Sequence, residues 1–237
     1  MSSIADNIGS VTRRIQKATL TAGRKPGSVQ LLAVSKTRSP EELRAAADAG
    51  QIAFGENYLQ EALDKVAALN DLNQIEWHFI GPIQSNKTRQ IAETFAWAHS
   101  VDRLKIARRL SEQRPTSLPP LNLCLQVNIN SEASKSGCAL TDLPELAAAV
   151  GELPNLKLRG LMAIPDPGQS ESELRTSFRT LANALRALKQ EQPEAGPLDT
   201  LSMGMSDDLE AAIAEGATWV RVGTALFGTR PPKHSQS

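Results

Sequence analysis

Residues 30–49, QLLAVSKTRSPEELRAAADA, hold the pattern on which the fold turns. Gln30–Ser35 is a short, nearly continuous apolar run, as expected of a strand covered on both faces. Ser39-Pro40-Glu41-Glu42 then combines a capping box with proline at the first helical position, opening a helix to about Ala49. A buried strand leading into a capped helix is one β/α unit.

The same alternation extends along the chain. Further apolar runs fall at Ile52–Phe54, Trp77–Ile80, Trp97–Ser100, Leu121–Asn128, Leu158–Ala163, Thr200–Met203 and Trp219–Val222, which makes eight with the first. Between them Leu59, Leu63, Val66 and Leu69 stripe one helix. A second capping box, Ser170 to Glu173, precedes the stripe Leu174, Phe178, Leu181, Leu185 and Leu188. Ser206 has two readings, a hydroxyl that flanks a bound anion or the N-cap of a helix over Asp207–Glu215. Upstream, Ile4, Ile8, Val11 and Ile15 form the apolar face of a leading helix, with Arg13, Arg14 and Lys17 assigned to its solvent side. Strands of this kind separated by helices pair in parallel, and eight units predict an α/β fold, a (β/α)8 TIM barrel. One domain is expected over residues 1–237, with an extra helix at 1–22 and a loose tail at 231–237. The competitor is an open doubly wound sheet, whose dinucleotide form lacks its G-x-G-x-x-G after any strand here.

Composition narrows the function. The 237 residues carry 26 Lys+Arg against 26 Asp+Glu, so bulk charge does not recommend nucleic acid or an anionic membrane as a partner. Aromatics at 4% leave little for base stacking. The apolar runs are strand-sized, too short to span a bilayer, and Met1–Ile8 carries no basic region ahead of an apolar one, so no signal peptide is expected. Cys124 and Cys138 make no disulfide framework, and Cys124 reads as a buried thiol. A reduced cytoplasmic protein fits these features.

A barrel places its active face at the C-terminal ends of its strands. Lys36 follows Leu31-Leu32-Ala33-Val34, so its stem leaves a buried strand near the barrel mouth. An ammonium in apolar surroundings loses its proton more easily and becomes a nucleophile toward aldehydes and ketones. The alternative is a charged residue snorkelling to water. Loops after the seventh and eighth strands often bind phosphate, and here they supply Ser202, Gly204, Ser206, Gly223 and Thr224. Asp207 and Asp208 would repel an anion from the helix they open, which moves the expected anion toward Gly223-Thr224. With Val220 and Val222 outward, Arg221 faces the barrel interior and needs an acceptor there, a structural carboxylate being the alternative to a ligand. A lysine amine, a phosphate cradle and an inward arginine are the parts of a pyridoxal 5′-phosphate site.

Several long motifs together resemble the pyridoxal phosphate homeostasis protein family. They are Leu31–Thr37, Phe54-Gly55-Glu56-Asn57-Tyr58, Trp77–Gly81, Gln84-Ser85-Asn86-Lys87, Gly160-Leu161-Met162, Leu201–Asp208 and Val220–Gly228. The resemblance covers essentially the whole chain in order. It implies a fold similar to the N-terminal barrel of alanine racemase, among the fold type III pyridoxal phosphate proteins. It also implies that Lys36 holds the cofactor as an internal aldimine. By the same resemblance Arg221 lies against the pyridine nitrogen, and Ser202, Met205, Ser206, Gly223 and Thr224 surround the phosphate. Asn57 and His78 line the ring. Lys135 lies near the cofactor's rim in related members, although it also reads as a solvated loop lysine. Cys138 departs from the family pattern, which has a bulky residue after the glycine.

The expected role is that of a carrier or buffer of the cofactor without catalytic turnover. A two-base racemase resembling alanine racemase takes a tyrosine from a second, β-rich domain, and the only tyrosine here is Tyr58, after the second strand. An arginine against the ring nitrogen makes the ring a poor electron sink, a feature that racemases can share and that does not by itself decide between the roles. The alternatives are a small pyridoxal phosphate-dependent racemase and a cofactor-free aldolase using Lys36. Expected partners are apo-enzymes that use the cofactor or vitamin B6 salvage enzymes, and the even charge leans toward a monomer. Arg103, Lys105, Arg108 and Arg109 read as a solvated helical face.

Overall fold

The computed structural model describes residues 2–130, 136–166 and 168–229. Eight parallel strands close on themselves in sequence order. They are β1 (Gln30–Val34), β2 (Ala53–Glu56), β3 (Glu76–Phe79), β4 (Trp97–Val101), β5 (Leu121–Gln126), β6 (Leu156–Met162), β7 (Thr200–Ser202) and β8 (Trp219–Val222). The ring is sealed by β1 against β8, where Leu31 pairs with Val220 and Leu32 with Arg221. This is the predicted barrel, with strand ends displaced by a residue or two. Helices alternate with the strands: α1 (Ile4–Thr21), α2 (Pro40–Asp48), α3 (Leu59–Ala68), α4 (Thr88–Thr94), α5 (Leu104–Gln113), α6 (Leu143–Gly151), α7 (Glu171–Glu191), α8 (Leu209–Ala214) and α9 (Thr224–Phe227).

Both predicted capping boxes are present, at Ser39–Glu42 and Ser170–Glu173, and Ser3–Asp6 forms a third at the start of α1. Of the two readings of Ser206, the helix cap is not formed. α8 begins later, with Asp208 in the N-cap position, because the Asp208 carboxylate turns back to accept the Met205 N–H. That frees Ser206 to face the cavity described below.

Strand alternation divides the interior in two. Outward residues such as Ala33, Phe54, Phe79, Leu123, Leu161, Val220 and Val222 join the helices in one large apolar core between sheet and helix ring. Inward residues form two small apolar groups, Leu32 with Ala53 and Ile80, and Trp97 with Cys124 and Met162. Polar inward residues fill the space between them.

Candidate functional site

At the C-terminal mouth of the barrel a cavity of about 500 Å³ is lined by Arg14, Val34, Lys36, Arg38, Asn57, Ile80, Ile164, Met205, Ser206, Asp207, Arg221, Gly223, Thr224 and Ala225. Four of these are cationic and one is acidic, so the cavity is built for an anion. Lys36 enters it because alternation along β1 puts Leu32, Val34 and Lys36 on the inward face.

The backbone on either side of Lys36 is held from α3. Lys65, buried at 3% exposure, donates Nζ to the Ser35 carbonyl at 2.6 Å and to Glu56 Oε1 at 2.8 Å. The Ser35 hydroxyl donates to the same carboxylate oxygen at 2.6 Å. Glu61 accepts from Lys65 and from the Thr37 N–H. That last bond secures Thr37 at φ 65°, an unfavourable left-handed conformation for a β-branched residue. Burial pushes the Glu56 carboxyl above its ordinary pKa, and Lys65 opposes the shift. Asn57 follows Glu56 by parity into the cavity, and Gly81 packs on it. A Cβ at Gly81 would meet the Asn57 carbonyl oxygen at 2.1 Å, so only glycine lets β2 and β3 end this close together.

Arg221 forms the floor. It is 5% exposed and donates Nη1 to Ser202 Oγ and Nη2 to the Ala163 carbonyl, each at 2.9 Å. Among the described residues its partners are therefore a hydroxyl and a carbonyl, with no carboxylate in hydrogen-bond contact. Burial pushes its pKa down to about 10, with Asp208 acting against the shift, so it is cationic at neutral pH.

Seven of the nine residues singled out from sequence meet in this cavity: Lys36, Asn57, Met205, Ser206, Arg221, Gly223 and Thr224. Ser202 and His78 do not line it. Ser202 is fully buried beneath Arg221, which occupies the space between it and the cavity. His78 points inward from the middle of its strand rather than from its end, and it stacks on Trp97 below the floor. Lys135 and the tail at 231–237 lie outside the described residues. Cys138 is buried and pairs its backbone with β5, and burial pushes its thiol up to about 11.

Two cationic cavity residues escaped the sequence reading. Arg14 leaves the solvent side assigned to it, pairing with Glu210 at 2.9 Å and donating to the Ser206 carbonyl at 3.0 Å, so α1 braces the β7–α8 loop. Arg38 is buried against the Phe227 ring and donates to the Gly228 carbonyl. Its only sequence signal was its position two residues beyond Lys36.

Residues 7–231 match the family model of the alanine racemase N-terminal domain. The pyridoxal phosphate homeostasis protein of Pseudomonas aeruginosa is 64% identical over 230 residues, which cover 97% of each chain. That of Escherichia coli K12 is 54% identical, covering 97% of this chain and 98% of its own. Among solved structures, PipY of Synechococcus elongatus superposes with TM-scores of 0.86 without PLP and 0.84 with PLP bound, at 40% and 39% identity. In both cases the match covers 95% of this chain and all of PipY. Alanine racemase of Corynebacterium glutamicum, at 18% identity and a TM-score of 0.70, shares the fold, and the match spans 61% of that enzyme. High identity over nearly full length, on a barrel of this closure, places the chain in the pyridoxal phosphate homeostasis protein family.

Proposed function

We propose that the protein binds pyridoxal 5′-phosphate at the barrel mouth and carries or buffers it for the cell, with Lys36 as the attachment point. The residues present fit the group. The cavity pairs one amine with three guanidinium groups, which suits an aldehyde that also carries a phosphate. Asn57, a lining residue, keeps its Oδ1 buried without a hydrogen-bond partner among the described residues, so a polar atom is available to a ligand. Bound there, the cofactor would supply an aldehyde that links covalently to a primary amine. Lys36 would provide that amine, Arg221 the donor beneath the ring nitrogen, and Met205, Ser206, Gly223 and Thr224 the phosphate contacts. Arg14 and Arg38 would add positive charge at the rim.

The observation that carries the reading is the convergence of Lys36 and Arg221 in one cationic cavity, in a chain 64% identical to a pyridoxal phosphate homeostasis protein. A carrier rather than an enzyme is supported by that kinship and by the lining. Among the described lining residues Lys36 is the only amine and Asp207 the only carboxylate, while Tyr58 stands away from the cavity at 55% exposure. Recipients would be apo-enzymes that need the cofactor. Of the large exposed apolar residues among those described, Ile164 and Met205 belong to the cavity itself, while Leu20, Ile52 and Leu118 come from separate segments of the chain, which supports a monomer. Two free, buried cysteines suit the cytoplasm.

The test is an absorption spectrum of the purified protein incubated with pyridoxal 5′-phosphate, before and after borohydride, with the modified peptide mapped by mass. A visible band that borohydride converts to a label on Lys36 is expected, and Lys36→Ala should lose the label while staying folded. A label elsewhere would overturn the assignment. Exchange of an added amino acid's α-proton with solvent deuterium would favour the racemase, and a colourless protein that cleaves a sugar phosphate would favour the aldolase.

A further inference from the structure

Below the cavity, a file of hydrogen bonds runs down the inside of the barrel to its opposite end. Arg221 Nη1 donates to Ser202 Oγ at 2.9 Å, and Ser202 Oγ lies 2.8 Å from His99 Nδ1. His99 Nε2 lies 2.9 Å from His78 Nδ1, and His78 Nε2 lies 2.8 Å from Glu76 Oε1. The two histidines and Ser202 are completely buried, while the Glu76 side chain is 42% exposed at the far end. Trp97 stacks on His78 with ring centres 5.3 Å apart, and Trp219 packs edge-on at 4.9 Å, so the imidazoles are held in a dry, aromatic shaft.

The bonds have only one consistent direction. The Glu76 carboxylate can only accept, so His78 carries its proton on Nε2 and offers a bare Nδ1. His99 must then donate from Nε2, which leaves its own Nδ1 bare. Ser202 must donate its hydroxyl proton to that nitrogen, which turns the oxygen's lone pairs toward the Arg221 guanidinium. Both histidines are neutral in this arrangement, in keeping with burial that lowers the pKa of each. The charged groups facing the pair are Glu76 from β3, Arg221 from β8 and Arg159 from β6. Arg159 lies over Trp97 and is itself bound to Asp199.

We propose that Glu76, His78, His99 and Ser202 form a one-way hydrogen-bond relay that couples a carboxylate at the far end of the barrel to the Arg221 guanidinium at the cavity floor. The relay holds Arg221 in the pose in which it meets the ring nitrogen of the bound cofactor. This use of the relay rests on the cofactor reading of the cavity. His78, His99 and Glu76 are thus positioning residues, acting through Ser202 and Arg221. Among the described residues Arg221 has no carboxylate in hydrogen-bond contact, and a polarised chain links it to a remote one.

Two measurements test it. The chain has three histidines, so a nitrogen-15 histidine spectrum of the full protein without cofactor is readily assigned, with His234→Gln identifying the third signal. His78 and His99 should each show a protonated Nε2 and a bare Nδ1, unchanged from about pH 6.5 to pH 8.5. An Nδ1–H on His99, or an imidazolium on either residue, would overturn the relay. The second measurement is a double-mutant cycle on pyridoxal 5′-phosphate affinity. Glu76→Gln keeps an acceptor for His78 but removes the charge, and it should weaken binding about fivefold. On an Arg221→Gln background it should change nothing, because the connection is already cut. Equal losses in both backgrounds would mean a purely structural role and would overturn the coupling. The expected tautomers in a protein that takes up no cofactor would instead overturn the cofactor reading and this use of the relay with it.

Discussion

Thr224 shows what one side chain contributes at the cavity. It opens α9 immediately after Gly223 and belongs to the lining that would face a phosphate. Valine has nearly the same shape and no hydroxyl, so Thr224→Val isolates one hydrogen bond to a charged acceptor. It should weaken pyridoxal 5′-phosphate binding by about 1.5–3 kcal/mol, measured by titration of the visible band, with the urea midpoint unchanged. Arg221 illustrates a different principle at the same scale. A guanidinium this deeply buried is stable only with its donors matched, and Ser202 and the Ala163 carbonyl take two of them. The remaining donors are the ones a ligand can use.

Among elements, the contact of α3 with the ends of β1 and β2 governs the pose of Lys36. The Lys65 ammonium is 4% exposed and the Glu56 carboxylate fully buried, and Glu56 keeps its second oxygen without a partner. Removing the cation strands a buried negative charge. Lys65→Met should therefore cost about 3–5 kcal/mol in urea unfolding, while the pair Lys65→Met with Glu56→Leu should recover most of that loss. Both versions release the Ser35 carbonyl, so cofactor affinity should stay low even where stability returns. An affinity that recovered with stability would show that α3 supports the fold without placing Lys36.

Over the whole molecule, the polar file inside the barrel predicts how stability follows pH. His78 and His99 have folded-state pKa values below the ordinary 6.5, through burial first, and for His99 also through His78 and Arg221. Above about pH 7 both are neutral folded or unfolded and contribute no slope. As the pH falls below 6.5 the unfolded chain takes up protons that the folded barrel refuses, so stability drops. The loss between pH 7 and pH 5.5 should be about 1–2 kcal/mol, read from urea midpoints at the two pH values. The lowered carboxylates, Glu76 and Asp199 among them, protonate in the unfolded chain only at lower pH and extend the loss there. Glu56 works in the opposite sense, since its raised pKa lets the folded state accept a proton earlier. A His99→Phe variant, which cuts the number of refused protons, should show a shallower dependence.

What the sequence determined by itself was whatever depends on local order. Apolar runs of strand length and capping boxes such as Ser39–Glu42 act over a few residues, so they specify β/α units and, repeated eight times, the barrel. Alternation along Trp219–Val222 likewise sufficed to turn Arg221 inward, and strand ends sufficed to bring Lys36, Asn57 and Thr224 to one mouth. The tertiary structure alone decided everything that depends on which strands and helices become neighbours. Arg14 reads as a solvent-side residue along its own helix, and only the packing of α1 on the β7–α8 loop brings it to the cavity. Lys65 reads as a helix lysine until Ser35 and Glu56 close over it. The family resemblance places His78 against the ring, whereas in the barrel it lies below the floor, because its depth is set by the stagger of the closed sheet. The file from Glu76 to Arg221 draws on β3, β4, β7 and β8. No stretch of sequence holds it, because a closed ring brings together, across its own interior, residues that the chain keeps far apart.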